Sequence, residues 1–117
     1  MKLDGLEVDW AEEFDGSVTV CDLNGIIVYM NCKSIEQFKK YGGEKLLGTN
    51  LLDCHPEPSK SMLRQMLLNP VNNMYTTEKN GARKIIYQTP WMKEGKFSGI
   101  IELSFQLDKD IPNHIRK

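Results

Sequence analysis

The pattern of apolar and polar positions predicts an antiparallel sheet of five strands. Residues 17–22 and 26–30 are strand-length and rich in β-branched side chains, and Asn24-Gly25 lies between them. Both residues of this pair accept positive φ, which makes it a strong signal for a tight hairpin. Three further segments of strand character form the last third of the chain, at residues 73–79, 83–92 and 97–107. Turn signals at Asn80-Gly81 and Lys93-Glu94-Gly95 join them into a meander.

The final strand separates cleanly into two sets of side chains. Ile101, Leu103, Phe105 and Leu107 alternate with Glu102, Ser104 and Gln106. Period-two alternation is typical of a strand with one buried and one solvated face. The sequence therefore predicts that the apolar set faces the core and that the polar set is wet.

Helical spacing appears in two other parts of the chain. Four large apolar residues recur at three- and four-residue steps near the N-terminus, namely Leu3, Leu6, Trp10 and Phe14. They predict one amphipathic helix over residues 1–15, ended by Gly16. Between the two groups of strands, Asn31 is placed to cap a first short helix, and Gly42-Gly43 and Gly48 interrupt the helical pattern that follows. A belt of short helices is therefore expected there.

Length, charge and cysteine usage limit the classes of function. A chain of 117 residues fits one domain. The formal net charge is −1, and basic doublets such as Lys39-Lys40 and Arg83-Lys84 are isolated from one another along the chain. The clustered positive charge that nucleic acid requires is therefore not expected. No apolar run approaches the roughly 18 residues of a membrane helix. Three cysteines without a CxxC pair fit neither a disulfide framework nor structural zinc, and a cytoplasmic protein with reduced thiols is expected.

Three segments in order resemble the PAS domain family. Residues 20–31 carry an aspartate, a hairpin glycine, an aromatic residue and an asparagine at the end of the second strand. Residues 41–48 resemble the family's glycine-punctuated short helix, and residues 51–57 the segment that closes its helical belt. The resemblance covers roughly residues 6 to 108, and it is strongest to a bacterial subgroup with a Cys-His-Pro segment.

The resemblance implies an α+β fold, in which a five-stranded antiparallel sheet carries a belt of short helices on one face. It divides the chain into an N-terminal amphipathic helix at 1–15, a sensor domain at 16–108 and a tail at 109–117. A ligand or cofactor pocket between sheet and belt is expected to be lined by Ile35, Phe38, Leu51, Met62, Met66, Tyr87, Trp91, Ile101 and Leu103. The N-terminal stripe of Leu3, Leu6, Trp10 and Phe14 is expected to form a dimer interface.

His55 is the sharpest candidate for chemistry. A neutral imidazole at the end of the belt can ligate haem iron, respond to pH, or simply cap the turn before Pro56. Flavin photochemistry is not expected, because Asn31-Cys32 is not followed by the motif of the flavin-binding light sensors. No convergent acid, base and nucleophile set is present in the sequence, so an enzyme is not expected.

Two functions remain open at this point. The first is a sensory domain that binds a small molecule or cofactor and relays the signal through a homodimer or a partner protein. The second is a docking or dimerisation module whose pocket is filled by its own side chains.

Overall fold

The structure is a five-stranded antiparallel sheet with helices against one face. This computed structural model describes the backbone of residues 1–117 and every side chain except that of Cys54. The strands are β1 (Ser17–Asp22), β2 (Ile27–Met30), β3 (Asn73–Lys79), β4 (Ala82–Lys93) and β5 (Lys96–Leu107). Their order across the sheet is β2-β1-β5-β4-β3, and every neighbouring pair is antiparallel. The predicted α+β fold class is confirmed.

The helical belt, residues 32–68, contains two α-helices and three short turns. Helix α1 is Cys32–Gln37 and helix α2 is Ser59–Leu68. Between them lie three 3₁₀ turns, at Lys39–Tyr41, Gly43–Leu46 and Leu51–Cys54. The first of these turns ends at Gly42, whose φ of 117° suits glycine far better than any residue with a Cβ. The predicted break in the helical pattern lies at this position.

The hairpins form where the sequence predicts them. Asn80 and Gly81 have φ values of 53° and 80°, and Lys79 pairs with Ala82 across this two-residue turn. Two successive positive φ values match the twist of the strands that they join. The second hairpin of the meander turns at Glu94-Gly95 in the same way.

Asn31 connects β1, α1 and the N-terminal segment, defined here as residues 1–16. Its side-chain oxygen accepts from the backbone N–H groups of Val18 and Ser34, at 3.0 and 2.9 Å. Its side-chain nitrogen donates to the carbonyls of Ala11 and Gly16, at 2.9 Å each. The predicted N-cap is confirmed, and this asparagine has no exposed surface.

The core lies between the sheet and the belt. Its buried members are Cys21, Ile27, Met30, Leu46, Leu51, Leu63, Met66 and Ile100. Strand residues and belt residues contribute to it together. Leu63 of α2 is 1% exposed, which places this helix firmly over the sheet.

The predicted N-terminal helix is wrong. Residues 1–16 contain turns, bends and irregular backbone but no helix, and Gly5 lies at a φ of 76°. A helix of this length is marginal in water, and glycine in its interior costs about 1 kcal/mol more than alanine. Glu12, Glu13 and Asp15 would also have placed negative charge at the helix C-terminus, where the macrodipole disfavours it.

Packing of aromatic rings holds the end of the N-terminal segment instead. Phe14 makes edge-to-face contacts with Trp10 and Phe105, with ring centroids 5.5 and 6.3 Å apart. Leu3 and Leu6 are exposed, and so is half of Trp10. Three of the four residues expected at a dimer interface are therefore open to solvent in the single chain.

The prediction for the two faces of β5 is also wrong. Ile100 is 3% exposed and belongs to the core under the belt. Because side chains alternate along a strand, Glu102 and Ser104 face the belt too, whereas Ile101 and Leu103 face away from it. The belt face is called the inner face below, and the opposite face the outer face.

Candidate functional site

A row of polar side chains crosses the inner face of the sheet. Asn73 on β3 pairs with Gln88 on β4, Gln88 pairs with Glu102 on β5, and Glu102 pairs with Thr19 on β1. Residues directly opposite each other on antiparallel strands have Cβ atoms about 5 Å apart and lie on the same face. These four side chains, the polar row, therefore lie side by side beneath the belt.

Hydrogen bonds link the polar row internally and to helix α1. Asn73 Nδ2 donates to Gln88 Oε1 at 2.9 Å. At the other end, the hydroxyl oxygens of Thr19 and Ser34 lie 2.6 Å apart. Gln88 and Thr19 are 4% and 5% exposed. Buried polar groups persist in a fold when they are hydrogen-bonded, and these are.

Glu102 is the acidic member of the row. Burial raises the pKa of its carboxyl group, while the nearby His55 and hydrogen bonding by the Gln88 amide oppose that rise. Desolvation disfavours a charged carboxylate, and a donor amide or a positive charge favours it. The carboxyl group of Glu102 therefore has a protonation state that a change in its surroundings can shift.

His55 follows the third 3₁₀ turn of the belt and precedes α2, on the same side of the sheet. Its Nδ1 atom lies 2.8 Å from the carbonyl oxygen of Leu51, one turn earlier. A carbonyl can only accept, so the proton lies on Nδ1 and Nε2 is left as an acceptor when the ring is neutral. The backbone N–H of His55 also closes the third 3₁₀ turn on Leu52. The predicted role of His55 as a turn cap agrees with these bonds.

A cleft opens beside the polar row, between α2 and strands β3 and β4. Its volume is about 160 Å³, and its lining comprises Ser59, Met62, Leu63, Asn73, Tyr75 and Gln88. It is called the α2 cleft below. One wall is apolar and comes from the helix, and the floor is polar and comes from the row. Such a mixture of apolar surface with a few convergent polar groups is typical of small-molecule sites.

The fold agrees with solved structures of sensory proteins. The chain resembles a dimer of VqmA from Vibrio cholerae with a TM-score of 0.63 and 21% identity, over 83% of this chain and 48% of that one. It resembles the PAS domain of an HTR-like protein from Haloarcula marismortui with a TM-score of 0.60 and 13% identity, over 83% and 85% of the two chains. The chain has a PAS-like fold.

Two further similarities involve proteins with a bound group. VqmA bound to DPO matches with a TM-score of 0.59 and 22% identity, over 84% of this chain and 54% of that one. The Aer2 receptor from Vibrio cholerae, a dual PAS-heme oxygen sensor, matches with a TM-score of 0.56 and 17% identity, over 80% and 95%. The chain thus spans about half the length of VqmA. A scan against models of known families gives no match, and neither does a search of curated protein sequences.

The expected pocket residues fall into two groups in this PAS-like fold. Ile35, Phe38, Leu51, Met62 and Met66 all lie on the belt side. Of these, Leu51 and Met66 are buried in the core, and Met62 lines the α2 cleft. Met62 is therefore the expected residue that is best placed to touch a ligand.

The other four expected pocket residues lie on the outer face. Tyr87 pairs with Leu103, and Ile101 pairs with Thr89 in the register that places Trp91 on the same side. The side chains of all four point to the face opposite to that of Ile100 and Glu102, so the sheet separates them from the α2 cleft. The error follows from the wrong choice of face for β5.

The residues that form the floor of the cleft were missed by the sequence analysis. Glu102 was assigned to the solvated face of its strand, and no site role was predicted for the polar residues Asn73 and Gln88. The sequence of β4 did contain a clue. Gln88 lies two residues after Ile86 and therefore on the same face of the strand, and Ile86 is 7% exposed. Placing the belt over the face that carries Ile86 would have placed the polar row beneath the belt.

The space under the belt does not suit a haem group. The side chains of Leu51, Leu63 and Met66 fill the region beneath the belt and are 6%, 1% and 4% exposed. The α2 cleft, at about 160 Å³, is smaller than the roughly 300–1,000 Å³ of pockets that take drug-sized ligands. Among the side chains that the structure describes, no group of three His, Cys, Asp or Glu could hold a metal ion.

The helices are also short. Across the described chain, none is long and apolar enough to cross a membrane.

Proposed function

We propose that this chain is a non-catalytic sensory domain that binds a small molecule in the α2 cleft. The observation that supports this most is the polar row, whose end at Asn73 and Gln88 forms the floor of an open cleft. A ligand there would touch α2, β3 and β4 at once. Its binding would thereby be transmitted to the sheet and to the belt.

The cost of the polar row supports a binding role. Polar groups lose free energy on burial unless they are paired, and apolar residues at the same positions would pack without that cost. Gln88 is buried beside a carboxyl group whose pKa burial raises. A sheet whose inner face served only for packing would gain stability from leucine or valine there.

The size of the cleft limits the ligand. An engineered apolar cavity of about 150 Å³ binds benzene, and the α2 cleft has about 160 Å³. A molecule with one ring, or a short chain of similar volume, is the expected class. This is smaller than haem or flavin, and neither is proposed as a cofactor.

A thermal-shift screen tests this function. A ligand at 100 times its dissociation constant stabilises the folded state by about 2.7 kcal/mol, which raises the melting temperature of a domain of this size by several degrees. Gln88→Leu should abolish the shift. The matched control is Gln106→Leu, which makes the same change at an exposed position that does not line the cleft.

Two results would contradict the proposal. One is a broad panel of one-ring and short-chain compounds that leaves the melting temperature of the wild type unchanged. The other is a ligand that shifts Gln88→Leu as much as it shifts the wild type, because that ligand binds elsewhere.

A second proposal concerns the outer face, which supports self-association. Tyr87, Trp91, Ile101 and Leu103 are half-buried there in the single chain, and the similar VqmA structure is a dimer. The proposed occupant of this face is a second copy of the chain. Sedimentation should show a dimer that Leu103→Glu dissociates and that Leu68→Glu, at an 82% exposed position of α2, leaves intact. A wild-type monomer at high concentration would refute this second proposal.

Other expectations about partners stay predictions. The chain itself carries no clustered positive charge, and we expect it not to bind nucleic acid. VqmA has a target DNA, so a DNA-binding partner segment is a role to be tested on longer proteins that contain this fold. A cytoplasmic location also remains an expectation.

A further inference from the structure

We propose that the α2 cleft takes a small organic cation, an amine or an amidine, with Glu102 as its counter-charge. This inference rests on the proposed function, and it names the ligand class for the same site. The inference is drawn from the negative charge of Glu102 and from which atoms of the polar row donate and which accept hydrogen bonds.

Glu102 is an inner-face acid without an ion-pair partner among the described residues. The three ion pairs of those residues are Lys2–Glu7, Lys33–Asp15 and Arg83–Glu78, all with exposed side chains. The only basic group that lowers the pKa of Glu102 by its charge is His55. That imidazole already has its Nδ1 atom bonded to Leu51. A buried carboxylate in such surroundings gains from a positive charge brought by a ligand.

Glu102 does not line the cleft itself, but it lies directly opposite Gln88, which does. Burial raises the pKa of Tyr75, a lining residue on β3, and the charge of Glu102 adds to that rise. Neither lysine nor arginine is present among the six lining residues. The Tyr75 ring and the Met62 thioether supply the soft, polarisable walls that suit a cation with an apolar body.

The hydrogen bonds of the polar row also select a donor. Gln88 Oε1 accepts from Asn73 Nδ2 at 2.9 Å. The N–H groups of the Gln88 amide are therefore the ones that can donate to the Glu102 carboxylate, which can only accept. The oxygen of Asn73 is left as an acceptor at the floor of the cleft. A ligand with N–H donors satisfies this oxygen, whereas a carboxylate or phosphate would repel it.

The same arrangement predicts how affinity changes with pH. The groups that face Glu102 are His55 from the belt, Gln88 and Tyr75 from β4 and β3, and Thr19 and Cys21 from β1. A cation prefers the ionised carboxylate, so its affinity should rise as pH rises and Glu102 loses its proton.

Three one-ring probes of nearly equal shape test the inference. Benzamidine is a cation, benzamide is neutral and benzoate is an anion. Each is titrated into the full chain while the backbone amide resonances of α2, β3 and β4 are followed by NMR at pH 6 and pH 8. We expect benzamidine to bind at least tenfold more tightly than benzoate at pH 8, which corresponds to about 1.4 kcal/mol. Glu102→Gln should remove that preference.

The outcomes separate this inference from the proposed function. If benzamide or benzoate binds more tightly than benzamidine at the same resonances, the preference for a cation is refuted, while the α2 cleft remains a ligand site. Binding of benzamidine that Glu102→Gln does not weaken would overturn the role of Glu102. Absence of any binding at millimolar concentration would overturn the site itself. If Glu102→Gln does not fold, the order of the affinities of the three probes for the wild type at the two pH values still tests the preference for a cation.

Discussion

Replacement of Asn31 by alanine should be among the most damaging single changes in the chain. The side chain has no exposed surface and makes four hydrogen bonds, two as acceptor and two as donor. Asn31→Ala leaves two buried N–H groups, those of Val18 and Ser34, without a partner. Each unpaired buried group costs about 1–3 kcal/mol, so the two together cost roughly 2–6 kcal/mol. Domains are usually stable by only about 5–15 kcal/mol.

Urea denaturation followed by tryptophan fluorescence measures this loss. The matched control is Asn50→Ala, because Asn50 also caps a helical turn, through a 2.9 Å bond from Leu52 N–H, but is only partly buried. Loss of an accessible N-cap costs about 1 kcal/mol. We therefore expect Asn31→Ala to be destabilised by at least about 1 kcal/mol more than Asn50→Ala. Equal losses in the two variants would refute the reasoning that the buried position of Asn31 sets the cost.

Three further predictions follow from burial and from pKa directions. Leu63→Ala should destabilise the fold by about 2–5 kcal/mol, whereas Leu68→Ala, at 82% exposure, should cost under about 0.5 kcal/mol in the same urea assay. Burial raises the pKa of Glu102 from 4.5, so the folded state holds that proton more tightly than the unfolded state, and stability should fall as pH rises above this value. Glu102→Gln should flatten that dependence, and an unchanged slope would count against it. The Glu12 carboxylate raises the pKa of the exposed Cys32 thiol, so Glu12→Gln should speed alkylation of Cys32 by iodoacetamide, as followed by peptide mass spectrometry; a slower reaction would contradict this.

The parts of the fold that could be predicted are those with local causes. Asn80-Gly81 forms its turn because both residues accept positive φ, whatever surrounds them. Asn31 caps α1 through a bond to an N–H three residues later. Such interactions depend on neighbours in sequence, so a sequence reading contains nearly all of the information that determines them.

The errors concern features that depend on distant parts of the chain. The apolar stripe of the N-terminal segment has helical spacing, yet Phe14 gains more by packing against Phe105, about ninety residues away, than a marginal helix would supply. Alternation in β5 defines two sets of side chains but not which set the belt covers. That choice depends on α2, whose Leu63 and Met66 lie in one core with Ile100.

The choice of face also explains why the candidate site was missed. Ile101 and Leu103 look like core residues, and in the single chain they are only half-buried on the outer face. Gln88 and Glu102 look like surface residues, and they lie beneath the belt beside a cleft. A sheet built only for its own stability would bury the apolar set and expose the polar set. Here Ile101, Leu103 and Glu102 are all partly exposed in the single chain. The two proposed partners would cover them: a second copy over the outer face and a polar ligand beside the inner row. A ligand that alters the charge of Glu102 acts on β5, the central strand shared by both faces, and this shared strand is the physical route by which occupancy of the cleft would reach the outer face.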